Sequence, residues 1–494
     1  MSDLSGKAIC LLICAALAGG CGGGSAPQSN NVTGTGAGQS ALFVGTITGF
    51  GSVYVNGVKF DVTSARLSRN GLPAQQSELR VGQFVKVRGA RNASAQTGQA
   101  DVIEADDNVQ GPVTAIDAVT STLSVLGQTV HVDAATSWGD GINPRSLAGV
   151  AVGDVLEVSG MVLANGDIAA TRIERVPATS EYFVRGAMAN VDSAARAFSI
   201  NQLRVNYATA RIEGLANGTP SNGVVVQLHG RSLSATGTLT ATAVEGESLA
   251  QSGDNRDIGD VEVEGAITRY VSAMDFDVNR QPVTTSPGTQ FVGGTVADLK
   301  LDLRVEVEGQ TNAIGVLVAG KVKFEGANAI ALAGPIESID RTAKRLTMLG
   351  ITIQVTDTTR IEDRDQRMDR FSIEMLNIGD YIRVRGRAAV APAVGVSASK
   401  LERERAMARV AVRAPLTSMS RPNALLLGVA VVTGSGTQFV GSDERTRLTA
   451  DQFFATPLGT LISVVGTQSG ASILAERVEI ESGNNDGGDD DLEE

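Results

Sequence analysis

Ser397-Ala-Ser-Lys400 has the Ser-x-x-Lys spacing of acyl-enzyme hydrolases, in which a lysine sits one helical turn from a serine nucleophile. Here the four residues belong to a stretch that reads as a strand. Lys400 would occupy an outward slot, and nothing places Ser397 at a helix start. The two histidines, His131 and His229, fall on separate strand-like stretches with no Ser or Cys beside them, and are expected to be exposed strand residues. The segment GNNDGGDDDLEE (483–494) carries six carboxylates, but their order does not match a calcium-binding loop. It reads as a solvated, disordered acidic tail. The chain offers no nucleophile-plus-base pair, no metal cluster and no phosphate-binding loop, so no catalytic residue, metal or cofactor is assigned.

The three cysteines lie at positions 10, 14 and 21. Lys7 precedes an eleven-residue apolar run, Ala8 to Ala18, too short to span a bilayer and typical of a signal-peptide core. Leu17-Ala18-Gly19-Gly20-Cys21 then resembles a bacterial lipoprotein signal, which implies cleavage before Cys21 and lipid on its thiol. Residues 1–20 would be lost, and 21–42 would be a Gly/Ser-rich tether. The partner implied is a membrane, reached through lipid on Cys21. Gly22, rather than Asp, in the next position points by the same resemblance to the outer membrane, with the protein facing the periplasm or the cell surface.

Composition narrows the rest. With 42 Lys+Arg against 54 Asp+Glu, the net charge of −12 argues against a nucleic-acid partner bound by bulk positive charge. With 42% hydrophobic residues the chain can bury a core, although only 4% are aromatic.

The elements that would position any site come from internal repetition. A block of the form apolar/small-Gly-x-φ-φ-x-φ-x-Gly (φ here an apolar residue) occurs as VGQFVKVRG (81–89), VGDVLEVSG (152–160) and IGDYIRVRG (378–386). Looser copies are NGVVVQLHG (222–230), LDLRVEVEG (301–309) and LGTLISVVG (458–466). About ten residues beyond each closing Gly comes Ala-x-x-φ-Glu, beginning at Ala100, Ala170, Ala241, Ala398 and Ala475; the fourth copy begins at Ala319 and has Lys323 in place of Glu. The units open alike, at Gly45, Gly111, Gly186, Gly265, Gly334 and Ala414, and each has a mid-unit turn. Those turns are read at Asn56-Gly57, Gly127-Gln128, Asn201-Gln202, Asn279-Arg280, Gly350-Ile351 and Gly428-Val429.

Alternation of Val85 and Val87 with Lys86 and Arg88 marks a half-buried strand. Five short strands with a helical turn before the fourth predict an all-β chain: a tandem array of six separate five-stranded OB-like barrels. The expected boundaries are 43–107, 108–178, 181–248, 259–327, 330–405 and 408–482, followed by the tail 483–494.

The runs GFGSVYVNGVKFDV (49–62), VGQFVKVRG and LGQTVHVDAATSW (126–138) resemble the bacterial repeat called domain of unknown function 5666. The likeness runs over roughly 44–481, close in units one, two and five and degenerate in three, four and six. It implies a tandem-barrel envelope lipoprotein and contributes no catalytic residue.

Two sets of side chains carry functional expectations. Phe50, Tyr54, Lys86 and Arg88 of the aromatic-rich first unit form a candidate ligand face, suited to stacking against a sugar or strand. Glu306 and Glu308 of unit four oppose in sign Arg383 and Arg385 of unit five, a candidate inter-repeat docking set on an extended string. The expected function is a non-catalytic, lipid-anchored envelope scaffold or binding module, with an envelope polymer or protein as further partner. The alternatives are a carbohydrate or polymer binder using repeat one, or an envelope hydrolase with its site between barrels.

Overall fold

The computed structural model describes residues 40–92, 96–178, 181–246, 258–325, 329–368, 370–389, 395–442 and 446–481. Cys21, residues 22–39 of the expected tether and the acidic tail lie outside the described residues, while residues 40–42, expected to end the tether, begin the first strand, Ser40–Gly49. The described residues belong to one compact unit. The described chain is all-β, with short 3-10 turns and one four-residue helix, Ala450–Phe453. No described helix is long and apolar enough to cross a membrane.

Repeat two shows the strand cycle. Val109–Asp117 pairs antiparallel with Thr122–Val125, which pairs antiparallel with Gln128–His131. Gln128–His131 runs parallel to the last strand, Ile168–Arg175. The last strand pairs antiparallel with Val155–Val162, and Val155–Val162 returns to pair with Val109–Asp117. The pairings therefore close on themselves, leaving the cycle without an open edge. The other five repeats follow the same order, from Ser40–Gly49 in repeat one to Ser472–Ile480 in repeat six.

The two glycines of the repeated block have separate causes. The first lies in the left-handed region, at φ +89° (Gly82), +94° (Gly153), +84° (Gly223), +90° (Gly379) and +86° (Gly459). In repeat four Asp302 takes this place at φ +62°, a conformation that Asp tolerates better than most residues. In every repeat this residue's N–H donates to the first strand or to the break within it, as from Gly82 to the Ile47 carbonyl, from Asp302 to the Ile267 carbonyl and, at the breaks, from Gly223 to Met188 and from Gly379 to Ile336. The closing glycine sits where the register of the last two strands shifts, as between Arg385 and Gly386. A Cβ there would lie 2.0 Å from the Gln99 carbonyl oxygen at Gly89, 2.2 Å from that of Ser397 at Gly386 and 2.1 Å from that of Val318 at Gly309. Each closing glycine is opposite the alanine of the second motif, as Gly89 is opposite Ala100 and Gly386 opposite Ala398. In repeats two, five and six the mid-unit turn falls one residue earlier than expected, on Leu126-Gly127, Leu349-Gly350 and Leu427-Gly428, all at positive φ.

The repeats are not separate beads, which corrects the expected string. The first strands of repeats two and three pair antiparallel (Val109 with Val184), and so do those of repeats five and six (Leu332 with Val412). Repeats one and four, distant in sequence, pair in parallel through Phe43 and Glu262. Among the described residues this gives three sheets of 13, 13 and 14 strands. One apolar core runs through repeats five and six and another through two and three. Met161 of repeat two packs into the core shared by repeats one and four.

Candidate functional site

The outward side chains of the fourth strands, expected on solvated faces, are largely covered by neighbouring repeats. On these strands Arg383 and Arg385 are each 1% exposed and Glu157 and Glu306 are buried, whereas Lys86, Arg88 and Glu308 are half-buried; Lys400 and Glu402 of the last strand of repeat five and Glu262 of the first strand of repeat four are buried as well. Cross-strand register accounts for several of their signs, although Arg385 stands opposite Lys400. Lys86 faces Glu104, and Arg383 faces Glu402. Glu306 faces Lys323, so the lysine that replaces the motif's glutamate complements a charge reversed on the adjacent strand. Repeat two places Glu157 opposite Glu174, and arginines relieve the repulsion: Arg69 of repeat one on Glu157, Arg172 on Glu174.

The seam between repeats two and five is built from such groups. The Lys400 ammonium donates to the Thr136 carbonyl (3.1 Å) and pairs with Glu402 (2.8 Å). Ser137 donates to Glu362, and Arg360 to the Thr171 carbonyl (3.3 Å). Glu402 also meets Arg364 (2.6 Å). The Ser-x-x-Lys spacing thus reflects a strand whose lysine is sealed against another repeat. The docking set is engaged differently from the expectation. Glu306 pairs with Lys323 (3.0 Å), Glu308 with Lys321 and with Arg91 of repeat one (3.4 Å), and Arg383 with Glu404 of its own repeat (3.6 Å).

The candidate ligand face does not form one platform. Phe50 is 4% exposed, with the Arg370 guanidinium of repeat five 5.9 Å from its ring centre. Tyr54 is half-buried beneath Lys59. Both line a cleft of about 140 Å³ against Val355, Ile361, Phe371 and Ile373. Lys86 and Arg88, also half-buried, are not among its lining residues. His131 and His229 are half-buried rather than exposed; His131 lies 2.8 Å from Asp167 and His229 3.9 Å from Glu181. Trp138 belongs to the apolar core of its own repeat pair. Among the described residues, no group of three or more His, Cys, Asp or Glu is arranged to hold a metal ion.

Many charged groups converge where repeats one, two, four and five meet. A cavity of about 350 Å³ is walled by Thr46 and Asn56, by Glu262, Glu264 and Glu306, and by Arg360, with further charged residues around them. Its walls are mostly polar. Burial, reinforced by Glu306 and Glu308 and opposed by Arg91 and Lys321, pushes the Glu262 carboxyl up to about 8. Burial and Glu325 push Glu264 up to about 7, against the Thr46 N–H and the Arg360 charge. Glu262, Glu264 and Arg360 were not singled out from the sequence, and Asn56 was read only as a turn residue. Glu262 and Glu264 lie on the very strand that joins repeat four to repeat one, and no local pattern reveals that pairing.

The fold and the covered faces define an all-β protein of tandem, mutually docked repeats. Four segments, residues 44–104, 110–174, 264–323 and 333–391, match the family described as Domain of unknown function (DUF5666), so the chain carries tandem repeats resembling that family. The matches include repeat four, expected to be degenerate. Repeats three and six, outside the matched segments, share the strand cycle. No curated protein matches the chain.

Proposed function

We propose that this is a non-catalytic, lipid-anchored cell-envelope protein whose six repeats, each read as a five-stranded OB-like barrel, act together as one scaffold or binding module. The observation that supports this reading is the burial of Glu157, Glu306, Arg383 and Arg385 of the fourth strands, which favours assembly on those faces over a polymer laid along a string. Stacking of a carbohydrate on repeat one is disfavoured by the cover that repeat five places over Phe50. Small-angle scattering of the tether-free body tests the compact arrangement. A radius of gyration of about 22 Å is expected for some 440 compact residues. It should hold between low salt and 1 M salt, because buried pairs are screened far less than exposed ones. An elongated profile, or one that expands with salt, overturns it. The anchor is tested separately: a fatty-acid analogue fed to cells should label the wild type and not Cys21→Ser. Label retained on the variant removes the lipoprotein reading.

A further inference from the structure

The charges around the junction cavity are unevenly matched. Lys323 meets Glu306; Arg91 is shared between Glu262 (3.3 Å) and Glu308; Lys344 meets Asp357; Arg304 meets Asp133 (3.5 Å). Glu264 has no ion pair among the described residues and accepts hydrogen bonds only from Thr46, from its N–H (2.8 Å) and its hydroxyl (3.4 Å). Across from it Arg360, 8% exposed, directs one N–H to the Thr171 carbonyl and acts on Glu264 through space. A guanidinium has five N–H donors, so most of this fork is uncommitted to a carboxylate.

Asn56 supplies an independent sign. It is 8% exposed, lines the cavity, and its Nδ2 donates to the Val44 carbonyl (3.2 Å). Its Oδ1 is buried with no hydrogen-bond partner, a state native structures rarely leave unexplained. A Cβ built on Gly45 would lie 1.8 Å from that oxygen and 2.9 Å from Glu264 Oε2, so the two acceptors overlook the same α-carbon. Two neighbouring acceptors, one a carboxylate, call for a cationic N–H donor. The buried guanidinium calls for an anion with two oxygens.

We propose that the junction cavity binds a small zwitterion, its ammonium seated between Glu264 and the Asn56 amide oxygen and its carboxylate held by the Arg360 guanidinium. This rests on the reading of the protein as a binding module and names the ligand class. A simple amine leaves Arg360 unanswered, a phosphate meets the carboxylates of Glu262, Glu264 and Glu306, and a neutral sugar answers neither charge. A volume of about 350 Å³ accommodates a free amino acid or a dipeptide.

The test is calorimetric titration of the tether-free body with glycine, lysine and alanyl-alanine, and with alanyl-alanine capped at its amine by acetyl or at its carboxylate by amide. At least one uncapped zwitterion should bind. Each cap should weaken binding at least about tenfold, the value of one charged hydrogen bond. Glu264→Gln should erase the discrimination against the acetylated form while retaining that against the amide. No binding by any uncapped compound at millimolar concentration overturns the proposal, as does binding indifferent to both caps. The caps make the result independent of whether a variant folds. The scattering profile remains a separate measure of the scaffold reading, so either can fail without the other.

Discussion

Lys400→Ala should destabilise the body by about 3–5 kcal/mol, the cost of removing one partner from a buried ion pair. The ammonium is 1% exposed and serves both the Thr136 carbonyl of repeat two and the Glu402 carboxylate. Without it, Glu402 keeps Arg364 but loses the cation on its other side, and Glu362, whose carboxyl Lys400 helps hold below its ordinary range against burial, loses that support. Lys400→Met preserves the apolar stem and isolates the charge, so it should recover only the packing share. Lys400→Met combined with Glu402→Gln should recover more than half of the loss, since the stranded charge is gone. Equilibrium denaturation of the tether-free body reads all three. A Lys400→Ala variant within about 1 kcal/mol of wild type would show that the seam between repeats two and five contributes little.

The same residue shows where the sequence was legible. Its place on the last strand of repeat five, and its outward direction from that repeat, followed from the motif spacing. What covered it did not, because an outward slot reads alike whether water or another repeat lies over it. The block glycines were legible as positions, and their causes, a positive φ and a carbonyl about 2 Å from a missing Cβ, are local. Lys323 and Glu306 were both visible as departures from the repeat, and cross-strand register joins them into one compensated exchange. The parallel pairing of repeats one and four depends on contacts more than 200 residues apart, Phe43 with Glu262, and no local periodicity encodes it. The junction cavity inherits that blindness, since Thr46, Asn56, Glu264 and Arg360 meet only once the repeats dock.

The junction should make the protein less stable in mild alkali. Glu262 and Glu264 stand at about 8 and about 7 in the folded protein, against an ordinary value of 4.5. Burial is the first cause in both, joined by Glu306 and Glu308 for the former and Glu325 for the latter. Between the two values the folded state holds more protons than the unfolded chain, so stability falls as pH rises. The loss begins above about pH 4.5 and is complete only beyond pH 8. Asp107, raised by burial and by Glu157, acts in the same direction. The lowered carboxyls, such as Asp363 beside Arg403, contribute stability that is lost only as pH falls below the ordinary carboxylate range, outside this window. Above pH 6 about two units of this difference remain for Glu262 and about one for Glu264, so at 1.36 kcal/mol per unit the loss between pH 6 and pH 9 is on the order of 4 kcal/mol. The melting temperature of the tether-free body should therefore drop by several degrees between pH 6 and pH 9. Glu262→Gln/Glu264→Gln, which fixes both sites neutral, should flatten that slope and leave the protein more stable than wild type at pH 9. Parallel slopes for the two proteins, or a wild-type melting temperature that rises across this range, would mean that the carboxylates ionise in the folded protein as easily as in the unfolded chain.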